Sequence, residues 1–402
     1  MQAAGIIVEY NPLHRGHVHL MQQTRRLLGE DCAIICAMSG DFVQRGDFAL
    51  LNRRARARAA VESGADLVLE LPLPWATASA EGFAQGAVET LAATGVCTHL
   101  AFGSECGDAD ALMGAAKALE SEALTPLLQE ELKRGDSFAA ARQRAAGRLA
   151  GQETAALVQS PNNILGVEYC RAMLRCGADM KPVTVRRAGA AHDASEAIEG
   201  FASASLIRSL LRQGRREEAL SLMAEPMAKA FLEEEAAGRA PVFSSALERA
   251  MLFRLRAMTR EDFAALDGGK EGLSNRLYEA SRTAVSVEEI LTAAKTKRYA
   301  YARLRRMVLW GCLGLRPAEM PAHPLYIRPL AANAAGRALL GRMRKEATLP
   351  VLTKSADVRR LGGAAEALFT MEAAAADLYT LAYPNLSAAR GDTLWKESLL
   401  LV

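Results

Sequence analysis

The sequence predicts an α/β protein in which a Rossmann-like parallel sheet is followed by a mostly α-helical region. In the first half, short runs rich in Ile, Val and Leu alternate with segments whose apolar residues are three and four apart, an order typical of parallel sheets. Beyond about residue 205 the strand pattern fades and long helical patterns take over. We therefore expect a nucleotide-binding sheet domain over residues 1–213 and a mainly helical domain over residues 214–402.

The apolar runs predict five strands, at residues 4–8, 33–37, 66–71, 99–102 and 182–185. Helical spacing predicts helices at residues 18–28, 54–63, 219–238, 244–260, 287–311 and 331–346. Two proline-bounded stretches, 321–329 and 349–353, are predicted to be extended loops or short strands that close the second domain.

Length and composition narrow the class of protein. The 402 residues suffice for two or three domains, and half of them are apolar. No apolar run is long enough to cross a bilayer and the start lacks a signal-peptide pattern, so we expect a cytoplasmic protein with no membrane partner. The seven cysteines form no CxxC pair, which indicates reduced thiols and no zinc site. A net charge of +3 predicts no polyanionic partner by itself.

The loop after the first predicted strand contains an HxGH motif made by His14, Gly16 and His17. Two histidines three residues apart at the start of a helix face the same side, where the helix N-terminus attracts anions. Imidazoles donate hydrogen bonds to phosphoryl oxygens, and a glycine lets a phosphate approach the backbone. The motif predicts a phosphate site, although a helix cap with a packed histidine has the same pattern.

A second phosphate candidate lies at Ser203, Ser205 and Arg208, where small hydroxyls precede a helix. The arginine can donate two hydrogen bonds to a phosphate, whereas Ser203 could equally be an ordinary N-cap. Together with the HxGH motif, this segment resembles the two phosphate-binding signatures of the nucleotidyltransferase superfamily, whose members share a Rossmann-like sheet.

More closely, the chain resembles the bacterial tRNA(Met) cytidine acetate ligase family. The matching stretches run from the first strand to about residue 358: GIIVEYNPLHRGH, MSGDFVQRGD, GADLVLELP, EGFAQGAV, FGSE, SPNNILGVEY, EGLSNRLYEA, KTKRYAYARLRR, YIRPL and LPVLTKSADV. The sequence departs from the family pattern at Leu13, where an aromatic residue is usual, at Arg15, where Asn is usual, and at Arg53-Arg54, where Lys-Trp is common.

This resemblance implies an enzyme that forms acetyl-adenylate from ATP and acetate. The acetyl group then passes to N4 of the wobble cytidine of elongator tRNA(Met). Carried over by position, the ATP-contacting residues are Ile7, Val8, Glu9, Tyr10, Asn11, Pro12, His14, Gly16, His17, Gly103, Asn162, Asn163, Arg186 and Arg187. Without the resemblance, the two asparagines are equally explained as a helix N-cap and the two arginines as a solvated pair.

Our mechanistic hypothesis assigns His14 and His17 to the charge that develops on the phosphates. Ser203, Ser205 and Arg208 bind the pyrophosphate end, and a Mg²⁺ ion bridges the phosphates without a protein cage. Asp41, in a long polar loop, is the candidate general base for acetyl transfer. Glu9 and Glu105 end predicted strands, and a structural role is the alternative for each.

Two basic clusters, at residues 52–58 and 295–306, are candidates for RNA binding. The second holds six cations and two tyrosines without an acidic residue, so its cations could contact phosphates and its tyrosines could stack on bases. Its candidate RNA contacts are Lys295, Lys297, Arg298, Tyr299, Arg303 and Arg306. An exposed helix face is the simpler explanation. The alternative function is a small-molecule adenylyltransferase that uses the same HxGH site, but such enzymes need no large helical region.

Overall fold

The structure is a computed structural model that describes residues 2–135, 137–187, 202–267 and 272–402. Its strands are β1 (Ala3–Val8), β2 (Ala33–Ser39), β3 (Phe42–Val43), β4 (Asp47–Phe48), β5 (Leu67–Leu71), β6 (His99–Ser104), β7 (Lys181–Arg186), β8 (Arg328–Ala332) and β9 (Leu400–Leu401). All five predicted strands are confirmed, as β1, β2, β5, β6 and β7.

The helices up to the second phosphate signature are α1 (Arg15–Leu28), α2 (Arg53–Glu62), α3 (Leu73–Ala76), α4 (Ala80–Ala93), α5 (Ala109–Glu120), α6 (Leu124–Leu132), α7 (Phe138–Ala150), α8 (Gln152–Leu157), α9 (Pro161–Cys176) and α10 (Ala204–Arg212). After it follow α11 (Arg216–Leu222), α12 (Glu225–Ala236), α13 (Glu248–Ala257), α14 (Arg260–Ala265), α15 (Leu273–Thr283), α16 (Val287–Ala294), α17 (Tyr301–Leu313), α18 (Ala334–Glu346) and α19 (Gly363–Thr380). None of these helices is long and apolar enough to span a membrane.

Seven strands form one sheet in the order β7-β6-β1-β2-β5-β8-β9, and β3 pairs with β4 in a separate hairpin. The five predicted strands are parallel, while β8 runs antiparallel to β5. From β1 the chain goes to β2 on one side and later to β6 on the other. The order therefore reverses between β1 and β6, where parallel sheets place the ligand crevice.

The central strands are continuous apolar runs because helices cover both faces of the sheet. Alternate residues of each strand face opposite sides of the sheet. Those on one side, such as Ile35, pack with α4, α9 and α18 in one core. Their neighbours, such as Ile34, pack with α1, α2 and α12 in a second core. A third core, which includes Leu277 and Leu304, holds α13 to α17 together.

The C-terminal region is mostly helical, as predicted, but part of it joins the sheet. The stretches at 321–329 and 349–353, expected to close the second domain, instead lie at the sheet, where β8 pairs with β5 and Ile327 bridges Val351. The first residues of the predicted helix at 331–346 belong to β8, and the helix begins at Ala334 after the N-cap Asn333. The boundary between residues 213 and 214 stays a prediction.

Two predicted helices are each interrupted. The helix expected at 287–311 is α16 and α17, because the Arg276 guanidinium donates to the carbonyls of Ala293 and Ala294 and so caps α16. The helix expected at 219–238 is α11 and α12, with Pro226 in the first turn of α12. The extended residues between α11 and α12 support the active-site turn.

Candidate active site

The HxGH motif turns the chain from β1 into α1. His14 is the N-cap of α1, and its Nδ1 accepts a hydrogen bond from the Gly16 amide at 3.1 Å. The Nδ1 atom of His17 accepts one from the His14 amide at 3.2 Å, and the two rings stack with centroids 3.8 Å apart. A neutral imidazole that accepts at Nδ1 carries its proton on Nε2. These hydrogen bonds assign both rings the tautomer that donates from Nε2, as a phosphoryl oxygen requires.

Neighbouring segments hold this turn in place. Tyr10 places the edge of its ring on His17, with centroids 5.0 Å apart, and its hydroxyl lies 3.4 Å from the Cys36 sulfur. From the other side, the Ala224 amide donates to the Leu13 carbonyl at 3.2 Å. The break between α11 and α12 therefore positions the two imidazoles.

A cavity of about 730 Å³ opens at the carboxyl ends of β1, β6 and β7. Most predicted ATP-binding residues line it: Ile7, Val8, Glu9, Tyr10, Asn11, His14, Gly16, His17, Gly103, Asn162, Arg186, Arg187, Ser203, Ser205 and Arg208. Pro12 is buried outside this wall. The volume is in the upper range for ligand pockets, so the cavity has room for a nucleotide and part of a second substrate.

The second phosphate signature meets the HxGH turn through Arg208. Ser203 is the N-cap of α10 and accepts from the Leu206 amide at 3.0 Å. Arg208 donates to the Asn11 side chain at 3.0 Å and to the Asp47 carboxylate at 2.7 Å. Burial disfavours ionised Asp47, but the guanidinium of Arg208 and further donors hold its pKa below the usual value. Arg208 therefore presents a positive charge that is already oriented.

At the opposite end of the cavity, only one of the two predicted asparagines lines the wall. Asn162 lines the cavity, and its side chain donates to Glu105 at 2.7 Å and accepts from Arg187 at 3.2 Å. The Asn163 side chain instead accepts from the backbone amides of Glu105 and Cys106. The Glu105 carboxylate caps the start of α9, which is a structural role. The prediction that Asn163 contacts ATP is corrected, because its amide is engaged behind the wall.

Asp41 does not line the cavity, which corrects its prediction as a general base. Its carboxylate is buried, accepts from the Arg53 amide at 2.9 Å and forms an ion pair with the Arg53 guanidinium. Arg53 also pairs with Glu397 at 3.3 Å. A buried guanidinium requires carboxylate partners, so the loop turns Asp41 inward. Since Arg53 and Arg56 are both buried, the segment 52–58 is no RNA-binding cluster as a whole.

Arg56 fixes the strand ends at the floor of the cavity. Its side chain is fully buried and donates to the carbonyls of Leu51, Glu9, Ser39 and Gly40. Ser39 ends β2, Gly40 follows it, and Glu9 follows β1. One guanidinium therefore sets the spacing of two strand ends beside the histidines, a role that a run of arginines in the sequence does not reveal.

The cluster at 295–306 is divided by the fold. Lys295, Lys297 and Arg298 are exposed, as RNA contacts require. Tyr299 is buried in the core of α13 to α17, which corrects its prediction as a stacking platform. Arg306 is half-buried and donates to the Gln44 carbonyl at 3.3 Å, and burial, with Arg303 nearby, lowers its pKa to about 10; its contact with RNA stays a prediction. Arg303 is half-buried, with its guanidinium 5.8 Å from the Tyr299 ring centroid.

Sequence reasoning missed several residues of the cavity wall, among them Arg212, Phe243 and Arg305. The Arg212 guanidinium stacks 4.7 Å from the Phe243 ring centroid. Arg212 follows Arg208 by four residues on α10, and this spacing was a usable signal. Arg305 comes from α17, so only the tertiary fold brings it to the site.

A parallel sheet that reverses its strand order beside two Nε2-donating imidazoles defines a nucleotidyltransferase of the HxGH class. The family model described as HIGH Nucleotidyl Transferase matches residues 1–393. The chain belongs to the tRNA(Met) cytidine acetate ligase family, as its similarity to characterised members shows.

The chain is 33% identical to the tRNA(Met) cytidine acetate ligase of Acetivibrio thermocellus over 416 residues, which cover 100% of both proteins. It is 36% identical to the Thermotoga maritima ligase over 365 residues, 88% of this chain and 87% of the relative. The crystal structure of apo Thermotoga maritima TmcAL (form I) matches with a TM-score of 0.95 at 32% identity. The structure of the same protein bound with alpha-thio ATP gives 0.92 at 33% identity, and both matches cover 100% of each chain.

Proposed function

We propose that the protein activates acetate with ATP as acetyl-adenylate and transfers the acetyl group to N4 of the wobble cytidine of elongator tRNA(Met). The observation that carries the first step is the pair of imidazoles with Nε2 donors on the cavity wall. The names of the relatives support acetate and tRNA(Met) as substrates, and the alpha-thio ATP complex of TmcAL supports a nucleotide at this site. Because the substrate is a tRNA, we place the reaction in the cytoplasm.

The proposed phosphate contacts give ATP one direction in the cavity. The phosphates lie at the N-terminus of α1, where His14 and His17 donate hydrogen bonds. The pyrophosphate end points to Ser203, Ser205 and Arg208, which stand at the start of α10. The nucleoside end then lies towards Gly103, Asn162 and Arg187, at the ends of β6 and β7.

In adenylation, an acetate oxygen attacks the α-phosphorus in line as pyrophosphate leaves, so the reaction requires no nucleophilic side chain. The imidazoles stabilise charge on the phosphoryl oxygens, and Arg208 stabilises the leaving pyrophosphate. No cluster of three or more His, Cys, Asp or Glu side chains that could hold a metal is found among the described residues. In our proposal a Mg²⁺ ion would be held mainly by the phosphates of ATP and would neutralise part of their charge.

Transfer requires the cytosine to leave the anticodon stack and enter the cavity. The helical region of residues 214–402 then holds the tRNA, with the exposed Lys295, Lys297 and Arg298 contacting phosphates. Arg305 and Phe243 connect this region to the cavity wall.

Acetate-dependent exchange of pyrophosphate into ATP tests the first step. Replacing His17 by Asn keeps an acceptor for the His14 amide but removes the Nε2 donor, so we expect the exchange rate to fall by about 10²- to 10³-fold. His323→Ala changes an exposed histidine and is the matched control. An unchanged exchange rate in His17→Asn would show that the imidazole does not act on the phosphates.

A further inference from the structure

Acetyl transfer needs a group that accepts a proton from the cytosine amine. Among the described residues, four carboxylates line the cavity: Glu9, Asp47, Glu248 and Glu288. General bases in enzymes are positioned side chains within hydrogen-bond reach of the proton they remove. The general base must be a carboxylate that is not already engaged elsewhere. The inference rests on the function proposed above.

Three of them are engaged elsewhere. Asp47 is held by Arg208 at 2.7 Å, and this ion pair keeps it a weak base. Glu248 accepts the first amide of α16 and so fixes the start of that helix. Glu288 is 66% exposed and accepts from the Tyr301 hydroxyl at the outer edge of the helical region.

Glu9 is held differently. It directly follows β1, and its Oε1 accepts from the Gln44 amide at 2.8 Å. Its backbone carbonyl accepts from Arg56 at 2.6 Å, so main chain and carboxylate are both fixed. No described residue donates a hydrogen bond to its second oxygen, Oε2. The carboxylate lies on the wall of the cavity that contains the two imidazoles.

We propose that Glu9 is the general base of the acetyl-transfer step. As N4 of the cytosine attacks the acetyl carbonyl, a nitrogen–carbon bond forms and the carbon–oxygen bond to the phosphoryl group breaks. AMP leaves with that electron pair. The N4 proton goes to Oε2 of Glu9 and then to water.

The surroundings of Glu9 suit this role. The charged and titratable groups around it come from four segments and are Arg45, Arg56, Tyr169 and Arg208. Burial raises the pKa of Glu9, although the Gln44 amide and the three arginines oppose the rise. A carboxylate with a raised pKa is a stronger base than an ordinary one at neutral pH.

The test compares the two half-reactions in Glu9→Gln, in which the new side chain still offers an oxygen to the Gln44 amide. Because Glu9 also lies on the wall of the nucleotide cavity, we expect some loss of acetate-dependent ATP–pyrophosphate exchange, but one at least about tenfold smaller than the loss of acetyl transfer. Single-turnover transfer from bound acetyl-adenylate to the tRNA should fall about 10²-fold or more, and its rise with pH in the acidic range should disappear. Glu9→Asp keeps the carboxylate and should recover part of the transfer rate. Glu217→Gln, at an exposed position of α11, is the control.

Equal losses in exchange and transfer would overturn the proposal, because Glu9 would then serve the nucleotide site. Wild-type transfer in Glu9→Gln would overturn it as well. If wild-type protein itself shows no acetate-dependent exchange, the proposed function fails, and this outcome is distinct from a failure of the assignment to Glu9.

Discussion

Replacing Arg56 by methionine should destabilise the protein strongly, although the residue contacts no substrate. The side chain supplies hydrogen bonds to four backbone carbonyls, at Leu51, Glu9, Ser39 and Gly40. Methionine fills much of the volume of the arginine side chain but donates no hydrogen bond. An unsatisfied buried acceptor costs about 1 kcal/mol or more, so the free energy of unfolding should fall by about 4 kcal/mol. This is a large part of the roughly 5–15 kcal/mol that stabilises a typical domain.

Urea unfolding followed by circular dichroism measures this loss directly. Arg56→Lys keeps the charge but cannot span all of these carbonyls, so its loss should be intermediate. Arg26→Met, at an exposed position on α1, should change the free energy of unfolding by less than about 0.5 kcal/mol. A loss below about 1 kcal/mol in Arg56→Met would refute the reasoning, since water would then satisfy the carbonyls.

Three further predictions follow from the contacts. Asp41→Asn should lower the free energy of unfolding by about 3 kcal/mol in urea titrations, because it leaves a buried guanidinium short of a partner, while the pH profile of acetyl transfer stays that of wild type. The double variant Lys297→Ala/Arg298→Ala should weaken tRNA binding and reduce the slope of its salt dependence by up to about 2, while pyrophosphate exchange stays intact. Alanine at the exposed Lys117 and Lys133 is the control and should change neither the binding nor the slope. The fold lowers the pKa of Asp47 below its ordinary value of 3.8, so the ionised carboxylate stabilises the folded protein above that value. This contribution is lost as the pH falls below 3.8. Asp47→Asn should therefore flatten the decline in urea midpoint between pH 6 and pH 3.

Local patterns predicted the sheet and its HxGH turn. The central strands β2 and β5 are apolar runs that are buried at every position, so each can be recognised from its own sequence alone. The HxGH turn is equally local, since the Nδ1 atoms of His14 and His17 accept hydrogen bonds from backbone amides within three residues. Most of the predicted nucleotide contacts therefore line the cavity.

Long-range pairing could not be predicted in the same way. The sequence places Asp41 in a polar loop, where an exposed carboxylate is expected. In the structure it is turned inward by an ion pair with Arg53, which also pairs with Glu397. Tyr299 and Arg306 belong to a basic segment whose helix is interrupted, so charge alone gave no indication that Tyr299 is buried and that Arg306 contacts the Gln44 carbonyl. The assignment of β8 to the sheet likewise depends on an antiparallel partner more than 250 residues earlier in the chain.

The most direct test of the proposed function is mass spectrometry of nucleosides from an elongator tRNA(Met) transcript incubated with the protein, ATP, Mg²⁺ and isotopically labelled acetate. We expect labelled N4-acetylcytidine, formed only when all components are present and strongly reduced in His17→Asn. No acetylated nucleoside, with ATP consumed only when a small phosphorylated acceptor is supplied, would contradict the ligase function and indicate a small-molecule adenylyltransferase.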